Sequence, residues 1–237
     1  MRTSTRGFDS ESTRAEAEQQ PLQAKWRETA TAAHYAQSAR GRWRSPRAAG
    51  KDVRLVTSLL QRNKLTVDRA LDVPCGTGRL SEALLPSSGQ ILSFDSSRSM
   101  LLQARITGAQ LPQPPRLAQA RAEALPLAAD SCDLVLCCRL LHHLNDGEEL
   151  ESIVGELVRV SSAWIIASYW DCASLEAITK GLRRPRPGGT RRARPAAVID
   201  QAFAAAGALV CDRIHARRLL SPQTFVLAHK EKSATRG

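Results

Sequence analysis

Apolar positions along the chain fall into two rhythms. Val53, Val56, Leu59 and Leu60 recur at helical spacing, which predicts an amphipathic helix with Asp52 as its cap. Short apolar runs predict strands at 67–73, 90–94, 116–120, 134–138, 163–169, 208–214 and 224–229. Between them, 80–85, 97–106, 148–158 and 196–206 read as helices, with Met100 and Leu101 turned inward and Gly207 closing the last. A weaker helical pattern at 23–40 carries Trp26, Ala30 and Ala33 on one side. Strands alternating with helices predict an α/β protein, a Rossmann-like doubly wound sheet that is mainly parallel. The last two strands are joined by only 217–223, too short for a helical crossover, so they are expected to be antiparallel.

The chemistry concentrates where the first strand ends. Ala70-Leu71-Asp72-Val73-Pro74-Cys75-Gly76-Thr77-Gly78 is an apolar strand running into an acid and then a glycine turn. Nineteen positions after Gly76, the second strand ends in Asp95. Glycines let backbone approach a ligand closely, and an acid at the second strand tip can accept both hydroxyls of a ribose. A dinucleotide loop wants a third glycine, and Ser81 closes the stretch without one. A phosphate-binding loop wants a lysine and a hydroxyl after its turn; nothing of that kind follows Gly78, and Gly50-Lys51-Asp52 lacks the hydroxyl. The pattern therefore points to a ligand with a ribose but no phosphate, of which S-adenosylmethionine is the common one.

Residues 71–78 resemble the first motif of class I S-adenosylmethionine-dependent methyltransferases, and Asp95 resembles that family's ribose-binding acid. Ala122-Glu123-Ala124-Leu125-Pro126-Leu127 resembles the segment that contacts the adenine edge. Residues 132–144, ending in Leu141-His142-His143-Leu144, resemble the fourth strand and its turn in the branch that methylates quinones and other small molecules. The resemblance spans about 50–230 and implies a seven-stranded sheet with the last strand antiparallel. It implies a cofactor site of Asp72, Pro74, Cys75, Gly76, Thr77, Gly78, Asp95, Ser96, Met100, Ala122, Glu123 and Cys138. Asp72 would hold the amino group of the methionine portion.

Three departures stand out. Pro74 replaces a glycine and has no amide to donate. Arg121 stands where an aspartate often meets the adenine amino group, which leaves that bond to backbone or to Glu123. Val160-Ser161-Ser162-Ala163 replaces the usual lysine-proline-glycine-glycine turn before strand five.

Composition sets the remaining limits. The 237 residues fit one α/β domain at 51–232 behind a disordered tail at 1–22 and a helical lid segment at 23–50. The resemblance implies that this segment folds over the site as a lid, bringing Tyr35, Arg40, Arg42 and Trp43 with it; a loosely packed N-terminal helix is the alternative. No apolar run approaches a membrane span, and the acid-bearing N-terminus resembles neither a secretory signal nor a transit peptide, so a cytoplasmic location is expected. The six cysteines form no Cys-x-x-Cys pair and read as buried free thiols, with no zinc site and no metal requirement. Adjacent Cys137 and Cys138 are expected to point to opposite faces of a strand.

The net charge of +11 attracts anionic partners without naming them. Its densest stretch, the acid-free basic loop at 180–195, holds Arg183, Arg184, Arg191, Arg192 and Arg194. That loop reads as an anion site for substrate or a membrane surface, as an RNA contact, or as a solvated loop. It lacks an aromatic to stack a base. Tyr35, Arg139, Arg183 and Arg184 are the candidate acceptor or anion contacts, and His142 and His143 the candidate proton acceptors at the ligand rim. The reading is methyl transfer to a small or lipid-like acceptor by in-line displacement. An RNA or protein methyltransferase and a non-catalytic binding protein of the same fold are the alternatives.

Overall fold

A computed structural model describes residues 46–179, 191–217 and 220–231. The tail at 1–22, most of the lid segment with Tyr35 and Trp43, and the basic positions Arg183 and Arg184 lie outside the described residues. Chain order runs α1 (Pro46–Arg62), β1 (Val67–Asp72), α2 (Ser81–Leu84), β2 (Ser88–Asp95), α3 (Arg98–Gly108), β3 (Arg116–Gln119), β4 (Cys132–Cys137), α4 (Glu148–Val160), β5 (Ser161–Trp170), α5 (Leu175–Thr179), α6 (Ala196–Ala205), β6 (Ala208–His215) and β7 (Gln223–Lys230). Single 3-10 turns occupy Leu85–Ser87 and Leu141–His143.

The strands form one seven-stranded sheet in the order β3-β2-β1-β4-β5-β7-β6. All pairs are parallel except the two made by β7, which runs antiparallel to β5 and β6. The strand order reverses between β1 and β4, and an open sheet of this kind binds ligands in the crevice at that reversal. Parallel neighbours bring Asp72 at the tip of β1 level with Ser93 and Leu136, so the carboxyl ends of β1, β2 and β4 open on one edge.

Period-two alternation sorts the strand side chains onto two layers. Val135 and Cys137 of β4 pack with Leu150, Ile153 and Leu157 of α4 and Phe203 of α6. Leu134, Leu136 and Cys138 pack on the opposite face with Val56, Leu59 and Leu60 of α1. The two adjacent cysteines thus point apart, as the strand pattern predicts.

Several details differ from the sequence expectations. The helix of the Val56–Leu60 stripe begins at Pro46, so Asp52 lies inside it on the buried face instead of capping it. The cap of α3 is Ser97, whose hydroxyl accepts from the Met100 amide at 3.3 Å. Residues 160–163 form no separate turn: α4 ends at Val160 and β5 starts at Ser161, whose side chain bonds the Trp164 carbonyl and the Ala163 amide. The cysteines are free, but only four are buried; Cys172 is half-buried and Cys211 exposed on the edge strand β6. Among the described residues, no helix is long and apolar enough to cross a membrane.

Candidate functional site

Two arrangements face each other across the open edge of the sheet. The first is the β1–α2 turn. Gly76 and Gly78 both take positive φ, +54° and +75°, a region that side chains rarely adopt. Their surroundings differ. A Cβ at Gly76 would meet nothing within 4 Å, so this glycine faces open space. A Cβ at Gly78 would lie 3.2 Å from the Cα and Cβ of Ala104. Gly78 therefore supplies the close helix approach, here against α3, that a third glycine supplies in dinucleotide loops.

Asp95 ties the turn to the second strand. One carboxylate oxygen accepts the Gly76 amide at 2.8 Å and the other accepts the Ser97 amide at 2.8 Å. A carboxylate has about four lone-pair sites, so both oxygens keep acceptor capacity toward the cleft. Burial raises its pKa, and the two backbone donors oppose that rise. The Cys75 amide goes to the Phe94 carbonyl at 2.8 Å, and Thr77 and Met100 are buried behind the turn.

Asp72 is the unusual member. Its side chain is fully buried, and neither oxygen has a hydrogen-bond partner among the described residues. Burial pushes its pKa up to about 8, with Arg79 pulling down and Asp95 pushing up. An orphaned carboxyl costs stability unless something cationic or hydrogen-bonding reaches it. The same burial, with both acids nearby, drives the Cys75 thiol well above its usual range, so it is no nucleophile.

Beyond β3, a bridge between Arg121 and Ala124 brings Ala122 and Glu123 to the rim. Arg121 spends its guanidinium on the Glu123 carboxylate at 3.0 Å. Helix α4 anchors this segment: Glu156 accepts the Leu125 amide at 2.6 Å and Arg159 donates to the Leu127 carbonyl at 2.9 Å.

The second arrangement follows β4. Arg139 takes φ +63°, its amide donates to the Ser168 hydroxyl at 2.8 Å, and its Nε donates to Asp52 at 2.8 Å. Arg79 approaches the same Asp52 oxygen at 3.7 Å. Burial, reinforced by Asp52, pushes the Cys138 thiol up to about 12, which leaves it a core thiol beside Ser168.

His142 is buried and stacks on Trp170, centroids 4.6 Å apart and planes 4° from parallel, with the His143 ring 4.3 Å away. Burial first, then His143 and the cations Arg139, Arg191 and Arg194, hold its imidazole well below the ordinary range. It is neutral at physiological pH, and its Nδ1 has no hydrogen-bond partner among the described residues. That makes His142 a hydrogen-bonding group and a weak base; half-buried His143 is the more accessible of the two.

The end of the basic segment turns inward. The Arg194 side chain is 2% exposed. Its guanidinium donates to the Leu141 carbonyl at 2.6 Å, to the Leu144 carbonyl and to the Asp146 carboxylate, gripping the turn that carries both histidines. The Arg192 amide donates to the His142 carbonyl at 2.8 Å, and the Arg194 amide to the Trp170 carbonyl at 2.7 Å. Arg191 lies 5.5 Å from the Trp170 ring centroid. The expectation of a solvated loop or anion site fails at Arg194, because its donors are consumed inside the protein.

The structure thus gathers Asp72, Cys75, Gly76, Gly78, Asp95, Ser96 and Met100 at the β1–β2 edge and Cys138, Arg139, His142 and His143 at the end of β4. Four residues of this edge were not expected in it: Asp52 reads from sequence as a helix cap, Arg194 as part of the basic loop, and Arg79 and Trp170 carried no expected role. Arg79 sits in the glycine motif and could have been read from it; the others are defined by partners far away in sequence.

Comparison with known proteins agrees with the geometry. Residues 71–163 match a family described as "Methyltransferase domain". Over 111 residues the chain is 32% identical to a ubiquinone biosynthesis O-methyltransferase of Vibrio cholerae, a match covering 45% of this chain and 44% of that relative. The chain therefore spans less than half the length of that curated relative. Among solved structures, magnesium protoporphyrin IX methyltransferase from Synechocystis PCC 6803 with bound SAH superposes at a TM-score of 0.70, with 16% identity over 89% of this chain and 98% of that one. An S-adenosylmethionine-dependent methyltransferase from Clostridium acetobutylicum superposes at 0.64, with 17% identity over 84% and 98%. At these identities the superpositions speak for the fold. The matched domain lies on the β1–β5 half of that sheet, and in that match, in the partial relative and in its fold the chain is similar to S-adenosylmethionine-dependent methyltransferases.

Proposed function

We propose that the chain binds S-adenosylmethionine and transfers its methyl group to a small-molecule acceptor. The Asp72 carboxyl carries this reading: a fully buried acid with no hydrogen-bond partner among the described residues suits a ligand that brings an ammonium. Asp95 suits the ribose hydroxyls, the open face of Gly76 suits close passage of the ligand, and Ser96, Met100, Ala122 and Glu123 suit the adenine. The donor supplies a methyl group already activated on a sulfonium, so the residues mainly align. Alignment of this kind lowers barriers by roughly 7–11 kcal/mol. His143 would receive the proton of a hydroxyl or amine acceptor, and His142 would fix that acceptor through Nδ1. Arg194 argues against the RNA reading, since part of the basic segment that motivated it is internal.

The test follows from the Asp72 proton. Its pKa is raised to about 8 in the folded chain from an ordinary 3.8. The folded state therefore holds the proton more tightly than the unfolded state, and the stability of the ligand-free chain falls as pH rises between those values. A cationic ligand favours the ionised form, so affinity for S-adenosylhomocysteine strengthens severalfold from pH 6 to 8.5. Asp72→Asn flattens this dependence and weakens binding while raising the thermal midpoint of the ligand-free chain at pH 8.5. Calorimetry across that range checks it, and a pH-independent affinity in the native chain would remove Asp72 from the site. Labelled methyl from S-adenosylmethionine should then enter the small-molecule fraction of a cell extract, and its appearance in RNA instead would overturn the acceptor class.

A further inference from the structure

A single carboxylate oxygen joins the two sides of the cleft. Asp52 Oδ2 accepts from the Arg139 Nε at 2.8 Å and lies 3.7 Å from the Arg79 Nη2. Arg79 follows Gly78 in the turn after β1, and Arg139 opens the turn after β4 that carries His142 and His143. Asp52 belongs to neither turn. It stands on α1 and is 1% exposed.

Helix α1 holds that carboxylate from a rigid base. Val56, Leu59 and Leu60 are buried in the layer that contains Leu134, Leu136 and Cys138 of the β4 segment. At the far end Arg62 pairs with Asp212 of β6 and donates to the Arg213 carbonyl at 3.1 Å, and Asn63 donates to Asp212 at 2.7 Å. A helix fixed along its face and at its end does not follow small movements of either turn. The two guanidiniums therefore share one oxygen at a nearly constant position. Away from water that sharing is strongly felt, and what one arginine gains in contact the other loses.

The joined turns differ in stiffness. The glycine turn is seated by Gly78 on Ala104 of α3. Arg139 holds φ +63°, uncommon for a residue with a Cβ. Its amide bond to the Ser168 hydroxyl at 2.8 Å and its side-chain bond to Asp52 oppose relaxation out of that conformation. The next residues are Leu140 and the Leu141–His143 turn, so a change at Arg139 is passed directly to the two imidazoles.

We infer that Asp52 is a positioning residue: by sharing one oxygen between Arg79 and Arg139, it makes occupancy of the glycine turn set the order of the histidine turn. Linkage makes the effect reciprocal, so an acceptor held at the histidines binds more tightly once the methyl donor is in place. The inference rests on the methyl-transfer reading for the identity of those two ligands, and the bridge itself does not.

Amide exchange on the full chain reads the coupling. Saturating S-adenosylhomocysteine should slow exchange at 139–146 in the native chain by about fivefold or more, the low end of coupling between sites. Arg79→Met leaves the Asp52–Arg139 bond in place. Its ligand-free exchange at 139–146 should match the native chain while the ligand-induced slowing disappears, a separation that a merely structural role would not produce. Asp52→Asn should also lose the slowing, and Asp52→Glu should restore it. Arg79 is half-buried in a turn, so Arg79→Met carries the exchange test should Asp52→Asn not fold. No slowing in the native chain overturns the inference. Undiminished slowing in Arg79→Met also overturns it, because the protection then comes from direct contact with the ligand.

A cycle on the ligand-free chain judges the bridge without any donor. Urea unfolding of Arg79→Met, Arg139→Met and the double variant should show the double loss exceeding the product of the single ones by about fivefold in the unfolding constant, since it leaves the buried Asp52 carboxylate with neither arginine. In an Asp52→Asn background the same cycle should close within about twofold. Closure in the native background overturns the bridge. Failure of the native chain to bind S-adenosylhomocysteine counts instead against the methyl-donor reading, and the cycle still decides whether Asp52 links the two arginines.

Discussion

The two sides of the cleft are built in opposite ways. The β1–β2 side is local: Asp72, Gly76 and Gly78 lie within seven consecutive residues, and Asp95 joins them one strand later through the Gly76 amide. The β4 side is assembled from a distance: Arg139 is held by Asp52 from 87 residues away, and the Leu141–His143 turn by Arg194 from 53 residues away. A local cradle tolerates little change in backbone shape, because its function is the shape. A distant clamp tolerates changes in the clamped residues but fails when the clamp is removed.

The sharpest way to break that contrast is at the glycines. Gly78→Val adds a side chain at positive φ and drives it into Ala104, so stability should fall by roughly 2–5 kcal/mol. Gly76→Ala pays only for the backbone conformation, about 1–2 kcal/mol, because nothing lies in its way. Urea unfolding with unchanged slope checks both, and equal losses would mean that α3 does not press on Gly78.

Removing the clamp comes next. Arg194→Met should cost about 2–4 kcal/mol by orphaning the Leu141 and Leu144 carbonyls. Amide exchange should quicken at 141–146 while affinity for S-adenosylhomocysteine stays within a factor of two or so. If exchange there is unchanged, the guanidinium does not hold the turn. A smaller effect than loss of the clamp belongs to a single proposed ligand contact: Asp95→Ala should weaken S-adenosylhomocysteine by ~1.5–3 kcal/mol, the loss expected for hydrogen bonds to a charged group. An unaltered calorimetric affinity would exclude Asp95 from ligand contact.

The same contrast explains what could be read in advance. The order of strands and helices was legible because apolar periodicity reports which face of each element is buried. The glycine turn was legible because its residues are contiguous and glycine at positive φ has few substitutes. Asp52 reads from sequence as a cap, because an acid before an apolar stripe has the same local signature whether it starts a helix or sits nearly two turns inside it. Only its burial against Arg139 and Arg79 separates the two roles. Arg194 was read as one more cation of a basic run, since nothing beside it in sequence reveals the Leu141 and Leu144 carbonyls.

The sequence by itself determined the alternation of elements, the glycine turn and the two acids at neighbouring strand tips. The tertiary structure decided which charges are spent and which remain available. It buried Asp72 without a hydrogen-bond partner among the described residues and used up Arg194 and Asp52. Charge is written into each residue, but its solvation and its partner are set by whatever the fold brings within a few ångströms, and that information is spread over the whole chain.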